Sequence, residues 1–308
     1  MRKTGHYGAM SIRIRPYDHP RDFARVSRFL VEIYEPGDVC ANWLQPRWEY
    51  MHFHPLIAGQ SLERIGVAEL GGEIVGVANF EHSLAFVYFQ IRPGFDEVKP
   101  GLLAHAEKHF GGWSHSLQRN VLGLFIDEMD LELTSLAAAA GFVENIDLTE
   151  YHARLDLGRP LPNQTLPDGF RLQSLEEEND LARIDRCLHR GFNHPGEPPA
   201  TGIAERAYSQ SAPNFRKDLT IVAVSPEGDY VSFGGMWVVP ENRVAYVEPV
   251  ATDPQYRMRG LGKAVVLETL RRAAADGAEV AWVGSDQDFY KKMGFQVRFT
   301  SRLWIRDV

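Results

Sequence analysis

Residues 251–266 read ATDPQYRMRGLGKAVV. The apolar run RVAYVEPVAT (243–252) ends in a proline turn, basic residues then surround two glycines, and GLGKAVVLETLRRAAADG continues with helical composition. A strand, a tight turn and a helix in that order make a crossover, and the helix start is where its chemistry lies. The first amides of a helix have no intrahelical acceptor and sit at the positive end of its dipole, and glycines there let a ligand approach the backbone. Gly260 and Gly262 begin this helix, with Arg257, Arg259 and Lys263 around them. The arrangement suits an anion, and several amides with two guanidinium groups suit a pyrophosphate best. A strand, a proline turn and an exposed helix start with no ligand would read the same way.

Two nucleotide-binding patterns do not fit. The phosphate loop G-x-x-x-x-G-K-[ST] requires a hydroxyl residue after its lysine, whereas Ala264 follows Lys263. The dinucleotide fingerprint requires a third glycine where Val265 stands.

Outward from this turn, the same plan occurs twice. A first pass runs from the strand IRIRPY (12–17), through a helix with Phe23, Val26, Phe29, Leu30 and Ile33 at helical spacing, to the strand candidates IGVAEL, EIVGVANF and LAFVYFQI. The helix GLLAHAEKHF, the strand VLGLFI, the helix LTSLAAAAGF and the strand TEYHARLDL follow. After the proline-rich DLGRPLPNQTLPDGF (156–170) the order begins again, and the helix ends AAAAGF and YKKMGF put the two passes in register. The expectation is an α/β fold of two tandem copies, residues 11–157 and 170–308, joined by a linker at 158–169. Each copy has antiparallel strands first and one helical crossover after the fourth.

The full pattern is R-x-x-G-x-G, here RMRGLG (257–262), placed after V-A-T-D-P and ahead of a helix, a strand and FYKKMGF (289–295). Residues from about 170 to 307 thereby resemble the GNAT superfamily of acyl-coenzyme A-dependent N-acetyltransferases. The resemblance implies acetyl-coenzyme A as cosubstrate and a mixed α/β sheet. It implies that backbone groups of Val250, Ala251 and Thr252 pair with the pantetheine arm, and that Arg257, Met258, Arg259, Gly260, Leu261, Gly262 and Lys263 hold the pyrophosphate. Tyr290 falls at the position that protonates the departing thiolate; the alternative is a helix tyrosine packed on the sheet. An amine of pKa about 10 must lose a proton before attacking a thioester. Glu248, two residues from Tyr246 and directly before Pro249, is the carboxylate placed to assist, or else a solvent-facing strand glutamate. A backbone N–H near Val250 or Ala251 would serve the oxyanion, a contribution of ~3 kcal/mol. Ser285 and Asp288 read as a capping box that aims Tyr290. The asparagine that the family often carries before this helix is absent from VGSDQDFY (283–290).

In the first copy, VKPGLL (98–103) stands opposite RMRGLG, so that Val98, Pro100 and Leu103 replace Arg257, Arg259 and Gly262, and Ala137 replaces Tyr290. Proline lacks the N–H and leucine blocks close approach. The first copy is therefore expected to bind no acetyl-coenzyme A productively. Its aromatic stretch from Trp43 to His54 reads as core or as the wall of a substrate cleft. No metal is expected. His105 and His109 lack the glutamate of the zinc motif, and His52 and His54 share a side only in an extended segment.

Composition bounds the rest. A net charge of −8 offers no general field for nucleic acid or anionic lipid. Cys40 and Cys187 form neither a disulfide framework nor a thiolate metal site, and no signal-length or membrane-length apolar segment occurs. The first ten residues read as a leader, with Met10 a second possible start. The reading is a cytoplasmic monomer or homodimer that acetylates a small-molecule or peptide amine. The alternative is a non-catalytic acyl-coenzyme A sensor.

Overall fold

The computed structural model describes residues 11–36, 42–57 and 59–308. The leader, Met10 and Cys40 lie outside them. In chain order the first repeat contains β1 (Arg13–Pro16), α1 (His19–Ile33), α2 (Gln45–His52), β2 (Gly66–Leu70), β3 (Glu73–Asn79), β4 (Phe86–Ile91), α3 (Lys99–His109), β5 (Gly112–Ser114), β6 (Arg119–Asp127), α4 (Leu131–Ala139) and β7 (Val143–Asp156). The second contains β8 (Arg171–Ser174), α5 (Leu181–Gly191), α6 (Gly202–Ser209), β9 (Ile221–Val224), β10 (Tyr230–Val239), β11 (Val244–Thr252), α7 (Leu261–Ala275), β12 (Val280–Val283), α8 (Asp288–Lys291) and β13 (Gln296–Asp307).

Local chemistry accounts for these elements. The apolar stripe of α1 buries Val26, Phe29, Leu30 and Ile33, and Pro20 sits in its first turn where no N–H is needed. Gly71 and Gly72 both take positive φ, as the two-residue turn between β2 and β3 requires. Asp180 caps α5 by accepting from the amides of Ala182 and Arg183.

In space the chain forms two compact units. One holds the described residues up to Gln45, then Leu56–Glu150 and Phe299–Val308; the other holds Pro46–Pro55 and Tyr151–Arg298. The repeats read along the chain and the units are thus drawn differently, because terminal strands are exchanged. Within the first unit, residues 301–307 of β13 pair antiparallel with β6. Within the second, residues 153–156 of β7 pair antiparallel with β12. Each unit otherwise follows the expected order: β1 to β4 and β8 to β11 are antiparallel, and β4 with β6 and β11 with β12 are parallel across the α3 and α7 crossovers.

The second unit packs a helix layer on each face of its sheet. Leu261, Val265 and Leu270 of α7 meet Met236, Val247 and Ala281 on one face. Ile184 and Leu188 of α5 meet Phe233 and Ala251 on the other. Glycines set the approach distances: a side-chain carbon at Gly191 of α5 would lie 2.7 Å from Ala251 Cβ.

Candidate functional site

The site is built on a strand that loses one neighbour halfway. β11 pairs with β12 only through Val244, Ala245 and Tyr246, but stays paired with β10 as far as Thr252. Beyond Tyr246 its outer edge opens. A bulge marks the opening, since the register passes from Met236 opposite Val247 to Gly234 opposite Val250. Gly235 faces the extra residues, Glu248 and Pro249, and any side chain there would collide with the Glu248 carbonyl oxygen. That oxygen accepts a hydrogen bond from Trp237 Nε1 at 2.9 Å.

Hydrogen-bond alternation decides what the open edge offers. The Asp253 amide donates to Val231 O at 3.0 Å, so Asp253 and Ala251 bond toward β10. The amides of Val250 and Thr252 then point the other way, into the opening. Of the sequence candidates for the oxyanion donor, Val250 is the one that this alternation turns outward.

The turn that follows is tightly anchored. Asp253 accepts from the Gln255 amide at 2.9 Å. Arg257 donates to Thr252 O at 3.1 Å, to Gly191 O at 2.8 Å and to Asn193 Oδ1 at 2.9 Å, tying the strand end to the end of α5. Arg259 lies 5.2 Å over the Tyr256 ring and Met258 is fully exposed with φ 62°. Gly260 caps α7 at φ 82°, a conformation that favours glycine. A side-chain carbon on Gly262 would come 2.9 Å from Thr252 Oγ1 and 3.5 Å from the Phe289 ring. Strand end, helix start and α8 therefore converge on Gly262, and the amides of Leu261, Gly262 and Lys263 begin the helix there. The donor set suits a pyrophosphate and the open edge suits an extended amide-bearing arm.

Tyr290 lies in the core of this unit at 8% exposure, its ring edge-on to Phe289 and Phe295. Burial first, and then the charge of Glu248, hold its hydroxyl well above the usual tyrosine value. The structure thus brings Tyr290 within electrostatic reach of Glu248, which is half-buried at the bulge. The capping box expected at Ser285 is not formed. Ser285 Oγ accepts from the Gln287 amide at 3.2 Å, and α8 starts at Asp288 with Gln287 as its cap. The hydroxyl closes a local turn before the helix begins, which competes with capping. Cys187 is fully buried in α5, and burial, with Asp253 adding, raises its thiol, so it offers no thiolate.

The first unit has the same strand opening, closed by its own side chains. β4 pairs with β6 only at Phe86 and Val87, and Ile91 stands opposite Gly76 as Val250 stands opposite Gly234. Asn42 Nδ2 donates to Ile91 O at 2.9 Å and the Ile91 amide donates to Asn42 Oδ1 at 2.8 Å. One carboxamide takes both backbone groups of that edge residue. Trp43 packs 4.9 Å from Tyr88, which stacks on Phe125. The helix start differs as well, because α3 follows directly from a 3-10 turn at Asp96–Val98. Its Lys99 is buried among Asp96, Asp130 and Glu132 at 2.7, 2.8 and 3.2 Å. No sequence signal marks Asn42, since its role depends on a contact far along the chain.

The aromatic stretch divides between the units. Trp43 belongs to the first, whereas Pro46–Pro55 belongs to the second. There Asn214 donates to both carboxylate oxygens of Glu49, from its amide at 2.6 Å and its side chain at 2.7 Å, and Tyr208 donates to His52 O at 2.8 Å. The Tyr50 ring lies edge-on to Trp237. Trp237 was not legible as a site residue, because it reads as one more apolar position in a buried strand.

The interdomain sequence is packed along α7. Leu161, Leu166 and Phe170 join the core, Arg271 donates to Pro162 O at 2.7 Å, and Gln164 lies beside Gly260. The histidines have backbone partners: His105 Nε2 contacts Arg64 O and His52 Nδ1 contacts Trp48 O, both at 2.9 Å. Among the described residues no group of three or more potential ligands is placed to hold a metal ion, and no helix is long and apolar enough to cross a membrane.

Residues 183–295 match the model of the acetyltransferase (GNAT) family. A mycothiol acetyltransferase of Saccharomonospora viridis is 28% identical over 148 residues, 44% of this chain and 48% of that protein. An N-acetyltransferase of Methanocaldococcus jannaschii is 29% identical over 80 residues, 23% of this chain and 35% of that protein. The chain thus spans half or less of the curated relatives it matches. A GCN5-related N-acetyltransferase from Sphaerobacter thermophilus superposes with a TM-score of 0.64 at 16% identity, over 96% of this chain and 95% of that one. A tandem GNAT protein from the clavulanic acid biosynthesis pathway gives a TM-score of 0.64 at 15% identity, over 96% and 98%. At such identities the likeness concerns the fold, and it extends over both repeats.

Proposed function

We propose, from the premise that residues 183–295 belong to the acetyltransferase (GNAT) family, that this protein transfers an acetyl group from acetyl-coenzyme A to a primary amine at the open edge of β11. The observation that carries the reading is that edge itself, ending at a glycine-led helix start.

Acetyl-coenzyme A is a substrate here and supplies the activated thioester. Backbone groups of Val250, Ala251 and Thr252 line the edge along which its pantetheine arm would lie. The amides of Met258 to Lys263, with Arg259 and Lys263, would hold the pyrophosphate. Arg257 contributes chiefly by fixing the loop, since its guanidinium is directed at three protein acceptors. In the transfer one bond forms, from amine nitrogen to acetyl carbon, and one breaks, from acetyl carbon to sulfur. Glu248, directly or through water, takes the proton that the ammonium must lose, and the Val250 amide donates to the carbonyl oxygen as charge develops there. Tyr290 gives its proton to the departing sulfur and is reprotonated through solvent by the second proton, which the nitrogen sheds as the amide forms. The first repeat is a degenerate copy that holds no coenzyme A, because Asn42 takes the matching edge.

The test uses the full chain. Calorimetric titration with acetyl-coenzyme A should give one site per chain, and thiol release should depend on an added amine. Tyr290→Phe should lower kcat by about 10²–10⁴-fold while leaving acetyl-coenzyme A affinity in place. Two binding equivalents would refute the closed first repeat. Binding without amine-dependent release across a broad panel would make the protein an acyl-coenzyme A sensor.

A further inference from the structure

The face of the sheet that carries Glu248 has its own aromatic lining. Trp237 is opposite Tyr246 in the register, and the indole holds the Glu248 carbonyl from the same side. α7 occupies the other face, where Met236 and Val247 point. Two rings cover Trp237 edge-on: Tyr50 at 6.2 Å and 72°, and Phe215 at 5.9 Å and 79°. Tyr50 and Phe215 are half-buried, so each keeps part of its surface accessible, whereas Trp237 lies beneath them at 4% exposure.

The lining is held from both sides. Glu49, next to Tyr50, is fixed by its two hydrogen bonds from Asn214, next to Phe215. Tyr208 anchors the same segment at His52. The polar groups nearby are directed at protein partners: the indole N–H at Glu248 O, the Glu49 carboxylate at Asn214, and His52 Nδ1 at Trp48 O. What the wall presents to a ligand is ring surface together with the Tyr50 phenol. Ring faces attract an ammonium and ring edges pack against apolar carbon, whereas a polyhydroxylated body finds poor compensation for its lost water.

Resting on the acetyl-transfer reading above, we infer that Tyr50 and Phe215, backed by the buried Trp237, form the acceptor wall beside Glu248, and that they select a primary amine carried on an apolar skeleton. Glu248 then receives the ammonium end while the rings hold the body. The wall belongs to one compact unit although Tyr50 comes from the first repeat of the sequence.

The experiment measures thiol release by the full chain with saturating acetyl-coenzyme A and four amines: 2-phenylethylamine, tryptamine, spermidine and glucosamine. The two arylalkylamines should exceed glucosamine in kcat/KM by at least about tenfold. Tyr50→Ala should raise the KM for 2-phenylethylamine by about tenfold with a smaller change in kcat, and Tyr50→Phe should keep the preference. Acetyl-coenzyme A affinity, read by calorimetry, should not move in either variant. Equal or better use of glucosamine or spermidine overturns the inference alone, as does a KM indifferent to Tyr50→Ala. No release with any of the four amines despite intact acetyl-coenzyme A binding overturns the inference, and the transfer reading falls with it only when the broad panel of amines also gives none.

Discussion

At the scale of single residues, the site depends on where protons are held. The Tyr290 hydroxyl is raised above its ordinary 10.0 by burial and then by Glu248. A group whose folded-state affinity for a proton exceeds its unfolded one contributes stability that is complete below the unfolded pKa and declines above it. The folded protein should therefore keep full stability from this residue up to about pH 10 and lose it as the pH rises further, when the unfolded chain ionises and the folded one does not. Melting temperature against pH should fall more steeply above pH 10 in the wild type than in Tyr290→Phe. Superimposable slopes would show that the hydroxyl is not in the enclosed position described. Tyr290 was legible in the sequence because its distance from Gly294 and Phe295 is a matter of chain position. Asn42, Trp237 and the fixing role of Arg257 were not, because each acts through a partner that only the folded chain supplies.

At the scale of elements, the close approach of β11 and α7 is the decisive one. Gly262 is where helix start, strand end and α8 meet, and a side-chain carbon there already crowds Thr252 Oγ1 at 2.9 Å. Gly262→Val must push the helix start off the strand end and misalign its first amides. Removing one hydrogen bond to a charged group costs about 1.5–3 kcal/mol, so acetyl-coenzyme A should bind at least about tenfold more weakly. Overpacking of this kind costs about 1–3 kcal/mol, more than the helix gains from replacing a glycine, so the melting temperature should fall, and binding is measured at a temperature where both proteins are folded. Unchanged affinity in a calorimetric titration would remove the α7 amides from the binding site. Strand and helix order followed from apolar period and from glycine and proline punctuation. The cap at Ser285 did not, because a hydroxyl can serve the amide two residues on as readily as the one three residues on, and only the backbone path decides.

At the scale of the whole molecule, two repeats of one plan are not two units of one plan. The repeat was visible because both copies present the same succession of strands, turns and crossover. The exchange of terminal strands was not, because β7 and β13 alternate alike and a sequence states no pairing partner. The exchange has a consequence for stability. Leu303 lies near the end of the second repeat, yet it is fully buried beside Gly123 of β6, with Phe125 as its register partner. Leu303→Ala leaves a cavity there and should cost about 2–5 kcal/mol. That destabilisation belongs to the first unit, so hydrogen exchange should accelerate at the amides of Leu122 to Ile126 while β10 and β11, which carry the proposed coenzyme A edge, stay protected. Residual acetyl-coenzyme A binding should persist under conditions that already open β6. Exchange that begins instead in β10 and β11, with β6 intact, would return β13 to the second unit and undo the strand exchange.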